Sequence, residues 1–388
     1  MQQKTIFLDQ GEFLGGAERF LIDFLGALDF GERKQIQPIL VGQPCEGYLK
    51  LLNEKAPETA LHLLPIPSVK GGKIKKGIAS LKLMSTAKKL KKMAEKEAVT
   101  QIFSNTPRTH FVAFLYKKLG GKADWHMMIH DFTTPENLMI QMAPKTTTII
   151  ANSIPSRTWL RDVLPHNQTS KIKIVENGVN FAEVPEEILS HEVKNITILG
   201  RIDPRKGQKH AVEAADLLLE RNPDLQFHIV GGSVETDPNT TKYEAEIKAL
   251  IKERNLKNVE LYGETSEPFK VYQESDLILA LPTEDETFGR IVIEAMAVGK
   301  VVITFDQTGP REIIQSYLTW LQQQKQLSVD PSILIVEAGN PMSLAEAIGF
   351  LADNPDELEI IAKYAREFVL ENYSILETKK RLAVILCG

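Results

Sequence analysis

The sequence predicts an α/β protein of two domains, each a parallel sheet wrapped by crossover helices. Three observations carry this. The chain has 388 residues, too many for one ordinary hydrophobic core. Short β-rich runs alternate with helical runs along its length, the pattern of strand–helix–strand crossovers. Charge is divided as well: 25 Lys and Arg stand against 19 Asp and Glu up to Ser190, and 21 against 32 after it. A basic half followed by an acidic half suggests two domains with different work.

The strands follow from short apolar runs. In the first half they are expected at Thr5–Leu8, Ile39–Val41, Leu61–Leu64, Gln101–Phe103, His126–Ile129 and Thr148–Ile150. Helical periodicity runs from Ala17 to Leu28 and from Arg157 to Leu164, and KIKIVENGVN (Lys171 to Asn180) reads as a strand and turn. The acidic stretch Glu183–Glu192, with Pro185 inside, is the best linker. A second series then places strands at Ile196–Leu199, Gln226–Val230, Val259–Tyr262, Leu277–Ala280 and Val301–Thr304. Its helices start near Gly207, Lys242, Gly289 and Glu312, and more follow Ser343. The expected division is a first domain over 1–182, a linker over 183–194, a second domain over 195–355, and C-terminal helices over 356–388 returning to the first.

Composition narrows the function classes. Hydrophobic residues make up 43% and charged residues 25%, ordinary for a soluble globular protein. The two cysteines, Cys45 and Cys387, have no Cys or His neighbour at ligand spacing, which argues against a zinc site or disulfide framework. No signal-peptide core precedes the first strand and no apolar run reaches spanning length, so a cytoplasmic protein is expected. No nucleic-acid-binding motif occurs. One basic segment stands out: Ile74, Ile78, Leu81, Met84, Ala87, Leu90 and Met93 form a helical stripe, with Lys75, Lys76, Lys82, Lys88, Lys89, Lys91 and Lys92 mostly off it. It reads as a surface helix with a solvated basic face. The sharper alternative is a docking surface for anionic lipid or an anionic acceptor, which would put the protein peripherally on the inner face of a membrane.

Two segments of the second half suit a diphosphate. In LGRIDPRKGQKHAVEAAD (Leu199 to Asp216) a buried strand ends at Gly200, Arg201 and Lys206 follow, and Gly207 opens a helix. Cations and helix-start N–H groups then meet at the C-terminal edge of a parallel sheet, where ligands bind. A solvated basic turn explains this segment alone equally well. In EDETFGRIVIEAMAVG (Glu284 to Gly299), Gly289 allows a tight turn before an apolar helix, and the N–H groups of Thr287, Phe288 and Gly289 are expected at its mouth. Glu286 there can accept hydrogen bonds from sugar hydroxyls. Glu294 lies inside an apolar stripe, where a carboxylate without partners is costly.

These two segments closely resemble the signatures of family 4 of the retaining glycosyltransferases, also described as glycosyl transferases group 1. The resemblance implies a GT-B fold, in which two Rossmann-like domains face across a cleft. It implies Arg201 and Lys206 for the donor diphosphate, Glu286 for the donor sugar and Glu294 for the ribose. NVELYGE (Asn258 to Glu264) resembles the family stretch beside the base, which implicates Tyr262 and Gly263. GEFLGGAERF (Gly11 to Phe20), a weak glycine motif alone, resembles the family loop that faces donor phosphates and acceptor; this implicates Gly15 and Gly16, with Glu18 on the first helical turn. His130, in MIHD (Met128 to Asp131), matches a family histidine that contacts the donor sugar, although a lone histidine is more often structural. Asn152 and Ser153 read as helix caps.

The departures are Arg290 in place of an apolar residue, Val301 in place of a common proline, Thr308–Glu312 in place of Gly-Gly-x-x-Glu, and an insertion over Tyr317–Leu327 read as an added helix. The expectation is a retaining transferase moving a sugar from a UDP- or GDP-sugar to a hydroxyl of a glycan or lipid-linked acceptor. The chain has no D-x-D, so the cationic side chains, rather than a metal, are expected to balance the diphosphate. An epimerase or phosphorylase on the same architecture is disfavoured by the paired glutamates. The alternative from another class is a non-catalytic nucleotide-sugar-binding subunit of a glycan assembly system.

Overall fold

A computed structural model describes residues 3–12, 14–67, 73–234 and 237–387, with residues 73–79 described by backbone alone. The chain forms two compact units, Met1–Gly178 together with Ile375–Gly388, and Val179–Ser374.

In the first unit the described strands are β1 (Thr5–Leu8), β2 (Ile39–Gly42), β3 (Ala60–Leu63), β4 (Gln101–Ser104), β5 (Asp124–Ile129), β6 (Thr148–Ala151) and β7 (Ile172–Ile174). They form one sheet in the order β3-β2-β1-β4-β5-β6-β7, with every pairing parallel. The period-2 pleat sorts the side chains into two cores. Ile6, Leu8, Ile102, Trp125, Met127 and Ile149 lie in one, with Leu83, Leu90 and Val112 from the helices Lys73–Lys96 and Pro107–Lys118. Phe7, Leu40, Phe103, Met128 and Ile150 lie in the other, with Phe20 and Phe24 from the helix Gly16–Ala27. Leu382 and Leu386 of the last helix, Ile375–Cys387, complete this second core. Both faces are covered over β1, β2, β4, β5 and β6, whose residues are almost all buried, while the edge strands β3 and β7 are partly exposed.

The second unit repeats the plan with β8 (Asn195–Leu199), β9 (Gln226–Val230), β10 (Val259–Tyr262), β11 (Leu277–Ala280), β12 (Val301–Phe305) and β13 (Ile335–Val336). Their order is β10-β9-β8-β11-β12-β13, again parallel throughout. The helices Pro355–Lys363 and Ala365–Asn372 belong to this unit and bury Leu358, Ile361, Phe368 and Val369 in its core. The segment before β8 is also held here: Ile188 N–H donates to the Val298 carbonyl at 3.3 Å, and the Lys300 ammonium to Ser190 Oγ at 3.2 Å.

Three expectations need correction. The helix placed near Lys242 starts at Pro238, because the Asp237 carboxylate caps it by accepting from Asn239 N–H. The helix placed near Glu312 starts at Thr308. The Tyr317–Leu327 insertion is not a separate helix: Thr308–Trp320 runs on into a π turn, Leu321–Lys325, which ends where Gln326 turns left-handed at φ 57°. Nothing between Arg311 and Lys325 is a helix breaker, so one helix absorbs the extra residues. The strand Ile335–Val336 was not expected; two residues carry no periodicity to read.

Candidate active site

In an open parallel sheet, ligands bind beyond the carboxyl ends of the strands where the strand order reverses. In the second sheet that point lies between β8 and β11. The loops after these strands border a concavity with about 350 Å³ of free volume, lined by Leu199, Lys206, Leu281, Glu286, Gly289 and Pro310 among others.

The loop after β8 is held by one buried carboxylate. Asp203 accepts from Arg205 N at 3.1 Å, Arg205 Nε at 3.0 Å, Arg205 Nη2 at 2.7 Å and Arg201 Nη2 at 3.1 Å. Burial acts to raise its pKa, but the Arg205 hydrogen bonds and the two guanidinium charges outweigh this and bring it down to about 2. Asp203 therefore stays ionised and fixes both arginines. Gln208, fully buried, donates to the Arg201 carbonyl at 2.9 Å. Gly207 turns the chain at φ 71°, and a Cβ there would lie 2.2 Å from the Leu281 carbonyl oxygen, so the loop lies directly on the end of β11.

Across the concavity, both carboxylate oxygens of Glu286 accept from Lys206 Nζ at 2.9 Å. Each side chain is 31% exposed. The Glu286 carbonyl is clamped by Thr308 Oγ1 and Gly309 N–H, both at 2.8 Å. A Cβ on Gly309 would approach the Phe288 and Glu286 carbonyl oxygens within 2.4 and 2.5 Å. Thus the Thr308–Glu312 departure still delivers a small residue where the two loops touch. The helices Gln208–Leu218 and Arg290–Ala297 start here without side-chain caps. At the first of them, Lys209 N–H already donates to the Tyr243 hydroxyl at 2.9 Å. Thr287 and Phe288 are buried, and Phe288 packs edge-on against Tyr373.

Glu294 sits a turn further in, its side chain 15% exposed. The Tyr272 hydroxyl donates to one of its oxygens and Arg290 Nε to the other, each at 3.1 Å. The cost of burying this carboxylate is thus met inside the protein, and Arg290, read above as a departure, is one of the groups that meets it. Tyr262 ends β10, the edge strand, and Gly263 follows it. Their carbonyls accept from Gly231 N–H at 3.3 and 3.2 Å, and Tyr262 is 42% exposed with its hydroxyl on Glu260.

The other expected residues lie in the first unit, beside its own reversal point between β1 and β4. Gly15 caps the helix that starts at Gly16, and its N–H donates to Glu18 Oε2 at 3.1 Å. Burial raises the Glu18 carboxyl above its ordinary range. His130 directly follows β5; its Nε2 lies 2.8 Å from Asn105 Oδ1 and its ring edge-on to Phe20 at 5.0 Å. Sequence reasoning missed the polar groups behind it. Asn105 donates to Asp9 Oδ2 at 3.2 Å and to the Ala17 carbonyl at 2.9 Å, and Tyr48 also donates to Asp9 Oδ2, at 3.1 Å. Asp9, Asn105 and His130 each follow directly on a buried strand, a signal that was present in the sequence.

The structure thus gathers Arg201, Lys206, Glu286 and Gly289 at one sheet edge. It seats Glu294 behind them, puts Tyr262 and Gly263 at the end of the outer strand, and holds Gly15, Gly16 and His130 in the first unit. Residues 181–368 match the family described as Glycosyl transferases group 1. The poly(ribitol-phosphate) alpha-N-acetylglucosaminyltransferase of Staphylococcus aureus is 26% identical over 245 residues, covering 62% of this chain and 46% of that protein. A 2-deoxystreptamine N-acetyl-D-glucosaminyltransferase of Niallia circulans is 26% identical over 287 residues, 70% of this chain and 68% of that one. This chain spans less than half of the first of these relatives. Among solved structures, Anabaena Alr3699/HepE in complex with UDP and glucose superposes with a TM-score of 0.80 at 19% identity, covering 100% of both chains. From the paired signatures, the two parallel sheets and these matches together, residues 181–368 belong to the Glycosyl transferases group 1 family, the family 4 glycosyltransferases, and the chain has the GT-B fold.

Proposed function

We propose that this chain is a retaining, metal-independent glycosyltransferase that moves a sugar from a nucleoside-diphosphate sugar to a hydroxyl of a glycan or lipid-linked acceptor. The observation that carries the reading is the Lys206–Glu286 ion pair at the rim of the concavity where the second sheet reverses. A half-exposed pair of this kind is worth no more than about 1 kcal/mol. Exchange is therefore cheap: Lys206 turns to a diphosphate oxygen, and Glu286 is released to accept from a sugar hydroxyl. The bond from the anomeric carbon to the diphosphate breaks as the bond to the acceptor oxygen forms on the same face. The acceptor proton passes to the departing diphosphate. Lys206, and Arg201 held by Asp203, supply fixed positive potential where that charge develops. By the family resemblance Glu294 serves the ribose, Tyr262 and Gly263 the base, Gly15 and Gly16 the phosphates, and His130 the donor sugar. The UDP and glucose bound by the Anabaena structure favour a uridine nucleotide.

A thermal-shift panel of UDP-, GDP- and ADP-sugars identifies the donor, because a ligand of the native state raises the melting temperature by mass action. With that donor, Lys206→Ala and Glu286→Ala are expected to cut transfer by about a hundredfold or more while leaving the fold intact. Wild-type turnover in both variants would remove the site. Donor binding with neither transfer nor hydrolysis would favour the non-catalytic subunit.

An anionic membrane surface is proposed as a further contact of the helix Lys73–Lys96, on which Lys82, Lys88, Lys89 and Lys92 are exposed beside Leu81, 74% exposed. Side chains of Lys75, Lys76, Ile74 and Ile78 fall outside the described residues. Among the described residues no helix is long and apolar enough to cross a membrane. Co-sedimentation with phosphatidylglycerol vesicles at rising salt is the measurement, and no binding at low salt would dismiss the contact.

A further inference from the structure

We propose that Asn105 is a positioning residue that holds the His130 imidazole as the single tautomer with its proton on Nε2. The Ala17 carbonyl oxygen can only accept, and Asn105 Nδ2 lies 2.9 Å from it. The same Nδ2 lies 3.2 Å from Asp9 Oδ2. Rotating the amide by half a turn would set Oδ1 against the Ala17 carbonyl oxygen and lose that bond. Asn105 has no exposure to water, so water could not replace it. The amide orientation is therefore fixed, and Oδ1 faces His130 Nε2 at 2.8 Å. An amide oxygen is an acceptor only, so Nε2 carries the hydrogen.

The scaffold behind Asn105 is equally determined. Asp9 follows β1 and Asn105 follows β4, the two strands on either side of the reversal point, while His130 follows β5. Tyr48 donates to the same Asp9 oxygen as Asn105 does. Phe20, on the helix that also carries Ala17, packs against the His130 ring. One helix thus presents both the carbonyl that orients the amide and the ring that flanks the imidazole. A fixed tautomer sets what the other ring nitrogen does: Nδ1 of the neutral ring is an acceptor, and it becomes a donor only when the ring takes up a proton.

The link to transfer rests on the donor-sugar reading of His130, and the measurements separate the two. Long-range ¹H–¹⁵N spectra of the full chain, with the His130 signals assigned through His130→Gln, report the tautomer directly. The wild type is expected to show a protonated Nε2 and an unprotonated Nδ1 near neutral pH. A wild-type ring with its proton on Nδ1, or mixed tautomers, would overturn the proposal without any variant being made. Asn105→Ala is expected to yield mixed tautomers and to lower kcat by about tenfold or more, with donor Kd changed by no more than about twofold. If that variant does not fold, Asn105→Ser is the substitute. An unchanged ring in a folded variant would also overturn the proposal. A tautomer that shifts while kcat stays constant would uphold Asn105's hold on the ring and sink the donor-sugar role of His130.

Discussion

Glu286 and Glu294 belong to one sequence signature and are eight residues apart, yet their surroundings set different chemistry. Glu286 meets Lys206 at the rim, where water screens the pair and exchange is cheap. Glu294 meets Arg290 with both side chains about one-sixth exposed, so that pair is harder to break. Removing Arg290 leaves the carboxylate with Tyr272 as its remaining described hydrogen-bond donor. Arg290→Leu is therefore expected to cost roughly 1–3 kcal/mol. Arg290→Lys should recover part of that, since an ammonium restores the charge but not the planar contact. Urea denaturation followed through the second unit measures it, and equal midpoints for all three proteins would show that Arg290 does not support Glu294. The sequence alone led to a different emphasis: a carboxylate in an apolar stripe pointed to a ligand. The residue four positions earlier was the structural answer, at the spacing that brings two side chains together on a helix.

At the scale of elements, strands were far more legible than helix starts or short connections. Gln226–Val230, Val259–Tyr262 and Leu277–Ala280 match their expected bounds: the first two alternate polar with apolar residues and the third is unbroken apolar, each of strand length. Pro107–Lys118 was not anticipated as a helix; it buries Val112 to Tyr116 in unbroken succession, which blurs the 3.6-residue period. The loop joining β8 to its helix was legible in its cations but not in its geometry. That Asp203 ties Arg201 and Arg205 together, and that Gly207 lies against Leu281, depends on β8 and β11 being neighbours, which spacing along the chain does not reveal. The same limit hid Asp9, Tyr48 and Asn105, which are brought together only by the order β3-β2-β1-β4-β5. Gly207→Ala tests the loop. The added methyl meets the Leu281 carbonyl at 2.2 Å on a backbone at φ 71°, so the loop must shift. Stability is expected to fall by about 2 kcal/mol or more, and donor affinity with it, because Lys206 moves with the loop. Calorimetric melting with and without donor is the check; an unaltered melting temperature would mean the contact is not tight.

For the molecule as a whole, pH distributes stability unevenly between the two units, because His110, His126 and Asp9, three buried groups with strongly shifted titration, all lie in the first. Burial lowers His110 to about 3 and His126 to about 4, from an ordinary 6.5. Both fold as neutral rings, so their contribution is complete above 6.5 and is lost as pH falls towards 4, where the unfolded chain takes up protons that the native state refuses. Asp9 runs the other way. Burial, reinforced by the charge of Glu18, raises it from 3.8 to about 8 despite hydrogen bonds from Tyr48 and Asn105. The native state keeps a proton that the unfolded chain has given up, so the Asp9 contribution is present below 3.8 and is lost as pH rises through 8. Between 4 and 6.5 the histidines and Asp9 oppose each other. Above 6.5 the histidines no longer change, and Asp9 leaves a falling slope of up to about 1.4 kcal/mol per pH unit. The first unit should therefore lose stability between pH 6.5 and 8.5, and Asp9→Asn, which cannot ionise, should flatten that loss. Two units need not unfold together, so the probe must belong to one of them. Trp125 is buried in the first unit, and Trp320→Phe removes the tryptophan of the second, so fluorescence then follows the first alone. A wild-type urea midpoint that holds steady or rises from pH 6.5 to 8.5 would show that Asp9 is ionised in the folded protein. The packing of Asp9, Asn105 and His130 behind β1, β4 and β5 would then have to accommodate a buried charge.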